Sequence, residues 1–173
     1  MGITLKPLWY AFVTRPRHEK KVQRYLDQAG IENFLPLHRT LNQWKDRRRW
    51  VESPLFSCYI FSRIPYVRRY DVLQTPSVAR LVTFNNEPAP VRDEEIEAIR
   101  RVLAGPQKVQ VLDGIVEGSR VRIVSGPLAD LEGVLIQHRG ANYFVIHIEA
   151  IGKSVLVDAS ENTVIALDHP KRS

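Results

Sequence analysis

The stretch Gly118-Ser119-Arg120-Val121-Arg122-Ile123-Val124-Ser125-Gly126-Pro127-Leu128-Ala129-Asp130-Leu131-Glu132-Gly133-Val134 decides the fold of the second half of this 173-residue chain. Gly126-Pro127 predicts a tight turn between two short strands. Gly133 permits a backbone conformation or a close approach that a side chain would block. Short strands are predicted at Arg120–Val124, Gly133–His138, Tyr143–Ile148, Ser154–Val157 and Thr163–Leu167. Five short strands separated by turn residues are typical of a small β-barrel.

The first half mixes strand and helix patterns. The apolar run Leu8–Thr14 predicts a buried strand. Next comes one apolar helical stripe that ends at a glycine, formed by Val22, Tyr25, Leu26 and Ala29 before Gly30. Further strands are predicted at Ile31–Leu37, Leu55–Phe61 and Val78–Phe84, and further helices at Tyr66–Leu73 and from Asp93 onward, the latter with Ile96, Ile99 and Leu103 buried. Residues 38–54 are polar and basic, which predicts either a protruding hairpin or a mobile loop.

The excess positive charge lies in the first part of the chain. The whole chain has a net charge of +6. Residues 1–104 carry 18 Lys and Arg against 11 Asp and Glu, whereas residues 105–173 carry 7 against 8. With the change in structural period, this break predicts a domain at 1–104, a linker at 105–116, a second domain at 117–168 and a tail at 169–173. A one-sided basic excess indicates contact with nucleic acid or, equally, a solvated basic face.

The sequence has no constellation typical of catalysis or of a metal centre. Cys58 is the single cysteine, so no internal disulfide and no cysteine zinc site can form. None of the five histidines stands at a metal-ligand spacing from another His or Cys, and no phosphate-binding glycine loop or nucleophile elbow occurs. We therefore expect no enzyme, no cofactor and no metal. The absence of a signal-peptide pattern or a bilayer-length apolar stretch predicts a cytoplasmic protein without membrane contact.

Four stretches, in this order, resemble the NusG family of transcription factors. They are Trp9-Tyr10 with Glu19-Lys20-Lys21-Val22; Pro54-Leu55-Phe56-Ser57-Cys58-Tyr59-Ile60-Phe61; Val78 to Phe84 with Glu87-Pro88-Ala89-Pro90-Val91; and the stretch quoted first, which resembles a KOW motif through Gly118, Val121, Gly126, Pro127 and Gly133. Together they cover nearly the whole chain.

The resemblance implies a two-domain α+β protein. Its N-terminal NusG-type domain would be an α/β sandwich with a mainly antiparallel four-stranded sheet flanked by helices. Its KOW domain would be an SH3-like five-stranded β-barrel. The implied function is that of a monomeric transcription elongation or antitermination factor whose N-terminal domain binds the clamp helices of RNA polymerase. A ribosomal protein or the terminator Rho is implied as the partner of the KOW domain.

The resemblance also implies two sets of binding residues. The polymerase-facing patch corresponds to Ala11, Val13, Phe56, Tyr59 and Phe61, although apolar strand residues of this kind are equally compatible with a place in the core. Contact with the non-template DNA strand corresponds to Arg15, Arg17 and Lys21, whose alternative is surface charge without a partner. Two alternatives stay open for the run Lys45–Arg49: it binds upstream DNA, or it is the disordered tip of a hairpin.

Ser57 and Cys58 depart from the family pattern, which usually has Pro and then Gly or Asn at these positions. With the unusually basic segment before them, they favour a specialised paralog similar to RfaH or to the UpxY-type antiterminators, which act on specific long operons such as capsule operons. The alternatives are a general housekeeping elongation factor of the family and, in another class, an RNA- or ribosome-binding KOW protein. The β-branched and aromatic run Tyr143–Ile148 predicts that the KOW barrel is stable as a barrel.

Overall fold

The structure is a computed structural model that describes residues 5–167, so the predicted tail at 169–173 lies outside the described residues. Between Asp93 and Glu94 the chain divides into two compact units. The helix that was predicted to close the first domain therefore groups, apart from its first residue, with the second unit. The domain limits drawn at residues 104 and 117 stay a prediction.

The first unit contains nine strands and two α-helices among its described residues. The strands are β1 (Leu8–Thr14), β2 (Asn33–Phe34), β3 (Leu37–Trp44), β4 (Arg47–Pro54), β5 (Tyr59–Ile64), β6 (Val78–Leu81), β7 (Thr83–Phe84), β8 (Glu87–Pro88) and β9 (Pro90–Val91). The helices are α1 (Glu19–Gln28) and α2 (Arg69–Leu73), and one 3-10 turn, Tyr66–Arg68, precedes α2. The order of helices and strands agrees with the α+β class expected from the sequence.

The sheet of the first unit has the order β2-β5-β1-β6, and every pairing in it is antiparallel. This confirms the predicted four-stranded sheet, to which β9 adds a short fifth strand beside the start of β1. One face of the sheet packs against α1 and α2. The core on that face contains Tyr10, Phe12, Val22, Leu26, Ile31, Leu35, Ile60, Ile64 and Val72. Burial of each large apolar side chain stabilises the fold by about 1.5–3 kcal/mol.

Three predicted strands are shorter than the sequence suggested. The strand expected at Leu55–Phe61 begins only at Tyr59, because the chain turns at Cys58, where φ is 68°. The strand expected at Ile31–Leu37 is reduced to β2, since Pro36 has no N–H to donate to a ladder. The strand expected at Val78–Phe84 breaks at Val82, after which β7 pairs with β8 in a separate hairpin.

The basic segment is a hairpin, which decides between the two structures predicted for it. Strands β3 and β4 pair in continuous register from Leu37 opposite Pro54 to Trp44 opposite Arg47. Within residues 5–167 this pair forms a sheet of its own, and residues 41–50 are all exposed. We call this pair of strands the basic ribbon.

The second unit consists of one helix and a six-stranded antiparallel sheet. Its elements are α3 (Asp93–Ala104), β10 (Val109–Asp113), β11 (Ser119–Ser125), β12 (Glu132–His138), β13 (Ala141–Ile148), β14 (Lys153–Asp158) and β15 (Thr163–Ala166). The strand order is β10-β14-β13-β12-β11-β15, so all five predicted barrel strands are present. The sixth, β10, lies inside the predicted linker, where alternating valines at 109 and 111 pair with β14. On α3 the fully buried stripe is Ile96, Ile99 and Val102, whereas Leu103 is half-buried.

Candidate functional site

Strands β1 and β5 bring the predicted polymerase-facing side chains onto one face of the sheet. Ala11 lies opposite Phe61 and Val13 lies opposite Tyr59, so these four side chains share a face. Phe56, from the loop before β5, packs edge-on against Phe61 with the ring centroids 6.1 Å apart. The five residues therefore form one continuous apolar cluster, which we call the β1–β5 patch.

The members of the β1–β5 patch differ in exposure. Ala11, Phe56 and Phe61 are at most 1% exposed, so in this structure they belong to the buried interior. Val13 and Tyr59 are half-buried and form the accessible part of the patch. The sequence predicted that these five residues lie close together, which the structure shows. It did not indicate which of the five are buried and which are accessible.

A buried carboxylate fixes the loop that leads into β5. Glu19, the first residue of α1, is 4% exposed, and its Oε1 accepts a hydrogen bond from the backbone N–H of Cys58 at 2.7 Å. The carbonyl oxygen of Cys58 accepts a second bond, from the N–H of Thr14 at 2.8 Å. Cys58 is held in the left-handed backbone region, which Gly and Asn adopt with the least strain. Position 58 therefore keeps the backbone conformation that suits the Gly or Asn expected there from the resemblance, although its side chain is that of cysteine.

Two of the predicted DNA-contacting residues, Arg15 and Arg17, lie in the turn between β1 and α1, and the third, Lys21, lies in the first turn of α1. Arg15, Arg17 and Lys21 are all exposed. The turn is anchored to a neighbouring loop, because the N–H of Arg15 donates to the carbonyl of Ser77 at 2.9 Å. His18 Nδ1 and Ser77 Oγ also form a hydrogen bond of 2.7 Å. Arg15 and Arg17 thus project from an anchored turn, and Lys21 projects from the helix that follows it.

A groove of about 410 Å³ lies beside this turn. It is lined by Pro16, Arg17, Glu19, Lys20, Glu52, Ser53, Pro54, Ser57 and Cys58. Of the three predicted DNA-contacting residues, only Arg17 lines it. Lys20, which sequence reasoning left out, lines it as well and donates from Nζ to the carbonyl of Glu52 at 2.7 Å. The lining combines two cations and two serine hydroxyls with the carboxylates of Glu19 and Glu52, so the groove offers hydrogen-bond donors without a net positive charge.

The glycines of the KOW motif stand where a side chain would collide with backbone. A Cβ on Gly118 would lie 2.5 Å from the carbonyl oxygen of Leu135, and one on Gly133 would lie 2.6 Å from that of Val145. Gly133 therefore serves close approach, which was one of its two predicted roles. Gly126, at the turn that it forms with Pro127, has φ 103°. A Cβ added there would also collide with the carbonyl oxygen of Glu161. Val121 is 2% exposed and belongs to the core of the second unit.

Two pKa shifts in the first unit reflect burial. Burial lowers the pKa of His38 from its ordinary value of 6.5. Burial, together with the neighbouring Tyr66, raises the pKa of Tyr10 above 10.0. Among residues 5–167, no group of three or more His, Cys, Asp or Glu is placed to hold a metal ion. Over the same residues, every helix is too short or too polar to cross a membrane.

An antiparallel sheet with helices on one face, followed in the chain by a β unit that carries a KOW-type motif, defines the class as α+β with two units. The family described as transcription termination factor nusG matches residues 7–100, more than half of the sequence, and the chain therefore belongs to the NusG family. This is a family of transcription factors rather than of enzymes.

The chain is similar to two curated proteins named transcription termination/antitermination protein NusG. With that of Pseudomonas aeruginosa it shares 28% identity over 140 residues, which is 73% of this chain and 79% of the relative. With that of Campylobacter jejuni it shares 22% identity over 162 residues, which is 87% of this chain and 92% of the relative. A solved structure titled for domain interaction in Thermotoga maritima NusG matches with a TM-score of 0.52 and 25% identity, covering 94% of this chain and 98% of the other. These likenesses support a role in transcription elongation and antitermination.

Proposed function

We propose that this protein binds the clamp helices of RNA polymerase through the β1–β5 patch and sustains elongation on specific long operons, such as polysaccharide or capsule operons. The observation that carries the proposal is the pairing of Val13 with Tyr59 at the accessible end of the patch. An apolar surface of this kind suits the tip of a helical hairpin, because helix-in-groove recognition relies on a few apolar anchors. The buried members, Phe56 and Phe61, act as the support that holds Tyr59 in place.

The exposed cations in the turn before α1 and in its first turn supply the DNA part of the proposal. Arg15, Arg17 and Lys21 neutralise phosphates of the non-template strand, and Arg17 leads into the groove beside the turn. The choice of particular operons is assigned to base contacts made from this same surface, since neither the phosphate contacts nor the polymerase contact carries sequence information directly. The KOW unit is assigned to a separate partner, a ribosomal protein or Rho.

The polymerase contact is tested by capture of purified RNA polymerase on the immobilised full chain. Tyr59→Ala combined with Val13→Ala should weaken binding by about tenfold or more, as expected for truncation of interface anchors. Tyr70→Ala is the control, because Tyr70 is a tyrosine of the first unit that lies outside the patch, exposed on α2. Equal loss in both variants, or none in the patch variant, would sink the clamp-helix proposal. Unimpaired binding to ribosomes by the patch variant would then favour the ribosome-binding alternative.

Operon specificity is tested by transcription in vitro on the leader of the neighbouring operon and on unrelated templates. Readthrough should rise only on the specific leader, and Arg15→Gln with Lys21→Gln should remove that selectivity while polymerase capture persists. An equal effect on every template would support a general elongation factor instead.

A further inference from the structure

The geometry points to a second nucleic-acid site on the basic ribbon, where unpaired bases stack on Trp44 and Trp50 while neighbouring arginines bind the phosphates. This site is separate from the β1–β5 patch, and it does not depend on the polymerase contact proposed above. The ligand class is a single-stranded nucleic acid, either RNA or DNA.

The ribbon exposes two large aromatic side chains in a segment that has no core to bury them. Trp44 and Trp50 are each 66% exposed, whereas Trp9, the remaining tryptophan, is 3% exposed. An indole that lies mostly in water contributes little burial to the fold, and it offers a flat surface on which a base can stack. Both exposed indoles are therefore available to a ligand outside the fold.

The register places one tryptophan on each face of the ribbon. Trp44 lies opposite Arg47, and Trp50 lies opposite Leu41, three pairs further from the turn. Since successive cross-strand pairs alternate between faces, Trp44 and Trp50 point to opposite sides. Each face then also carries an arginine, with Arg47 beside Trp44 on one side and Arg48 on the other.

The charge of the ribbon fits a polyanion. Residues 37–54 carry five Lys or Arg and two Asp or Glu, a net charge of +3. Arg39 is paired with Glu52 at 3.1 Å. Within residues 5–167, by contrast, Arg47, Arg48 and Arg49 have no carboxylate within ion-pair distance. Three unpaired guanidinium groups next to two indoles combine phosphate binding with stacking, which is how proteins bind unpaired strands.

The observations favour a single strand over a duplex. In a duplex the base faces are stacked on one another, so an exposed indole has no face to meet without unstacking a step. The end of the ribbon away from its turn also lines the groove beside Arg17 and Lys20. Glu52, Ser53 and Pro54 belong both to β4 and to the lining of that groove. A single strand can therefore continue from the ribbon toward Arg17 and Lys20 in the groove.

The test measures binding of the full chain to unpaired oligonucleotides about 20 nucleotides long, a length that exceeds an ordinary single-strand site. Four ligands are compared: a single-stranded RNA, a single-stranded DNA of the same sequence, an abasic strand of the same length, and a duplex of that DNA. Tryptophan fluorescence is the readout, since the two exposed indoles should be quenched by stacked bases while Trp9 is shielded. We expect both the RNA and the DNA strand to bind and to quench the tryptophan fluorescence. The strand that binds more tightly identifies which of the two nucleic acids is the natural ligand.

Alanine at Trp44 or at Trp50 should weaken single-strand binding by about tenfold each, whereas phenylalanine at either position should retain most of the affinity. Leu41→Ala is the matched control, because Leu41 is an exposed apolar residue on the same face as Trp50. Replacement of Arg47, Arg48 and Arg49 by glutamine should lower the slope of log affinity against log salt by about 2.

Three results would overturn the inference: abasic strands that bind as tightly as strands with bases, tryptophan variants no weaker than Leu41→Ala, or tighter binding to the duplex. All replaced side chains are exposed, so circular dichroism should show an unchanged fold. Because no polymerase is present, these results are independent of the clamp-helix proposal.

Discussion

Replacing Glu19 with alanine removes a side-chain acceptor that holds the loop before β5. The lost bond joins a carboxylate to the Cys58 N–H at 2.7 Å, and bonds to charged groups contribute roughly 1.5–3 kcal/mol. Loss of an acid in the first turn of α1 adds about 0.3–1 kcal/mol. Release of a carboxylate that is 4% exposed offsets part of this loss, because the buried charge no longer has to be desolvated. The expected net destabilisation is about 2 kcal/mol.

Urea unfolding followed by tryptophan fluorescence measures the free energy of unfolding of the first unit, because Trp9, Trp44 and Trp50 all belong to that unit. With a denaturant slope of about 1–3 kcal/mol per molar urea, the midpoint should fall by roughly 1 M. Glu19→Gln is the matched control. It keeps the length and an acceptor oxygen, and neutral bonds are about half as strong, so it should lose about 1 kcal/mol.

Two outcomes would refute this reasoning. A loss below about 0.5 kcal/mol for Glu19→Ala would mean that the Cys58 N–H finds an equally good partner elsewhere. Equal losses for the alanine and glutamine variants would mean that the charge, and not the hydrogen bond, carries the effect.

The remaining predictions concern three positions. Gly133→Ala should destabilise the second unit by about 1–3 kcal/mol, because its Cβ would lie 2.6 Å from the Val145 carbonyl; a thermal melt by circular dichroism as stable as the wild type would contradict this. Cys58→Asn should stabilise the first unit by about 0.5–1 kcal/mol by relieving the left-handed strain, and Cys58→Val should do the reverse, so the opposite ranking in urea would be decisive against it. Because burial lowers the folded-state pKa of His38 below 6.5, the unfolded state binds more protons in that range. Stability should therefore decline as pH falls from 6.5 toward the folded-state value, and this component should disappear in His38→Gln when urea midpoints are compared across pH.

Most of the fold could be predicted because its signals are local. The apolar run of β1, the helical stripe of Val22 and Leu26, and the glycines of the KOW motif each determine structure within a few residues. The predicted strands β11 to β15 are all present, with bounds that differ by a few residues. The linker strand β10 escaped prediction, since five residues with weak alternation reveal their role only through pairing with β14.

The finer features of the site could not be predicted, because they depend on residues far apart in sequence. Nothing near Glu19 indicates that its carboxylate reaches the amide of Cys58, 39 positions away. Strand alternation placed Ala11 and Phe61 on the proper face, but it cannot show which residues of that face are covered. The left-handed conformation of Cys58 was likewise invisible, since a cysteine carries none of the turn signal that Gly or Asn would give.

The isolation of the basic ribbon has a consequence for solubility. A ribbon that pairs with no third strand in the described part of the chain has two free edges, and free edges tend to recruit strands from other molecules. Here such an encounter would bring Lys45 and the arginines at 47–49 against the same cations of a second copy. Their mutual repulsion opposes edge-to-edge aggregation, so the positive charge of the ribbon disfavours self-association through its edges even when no ligand is bound.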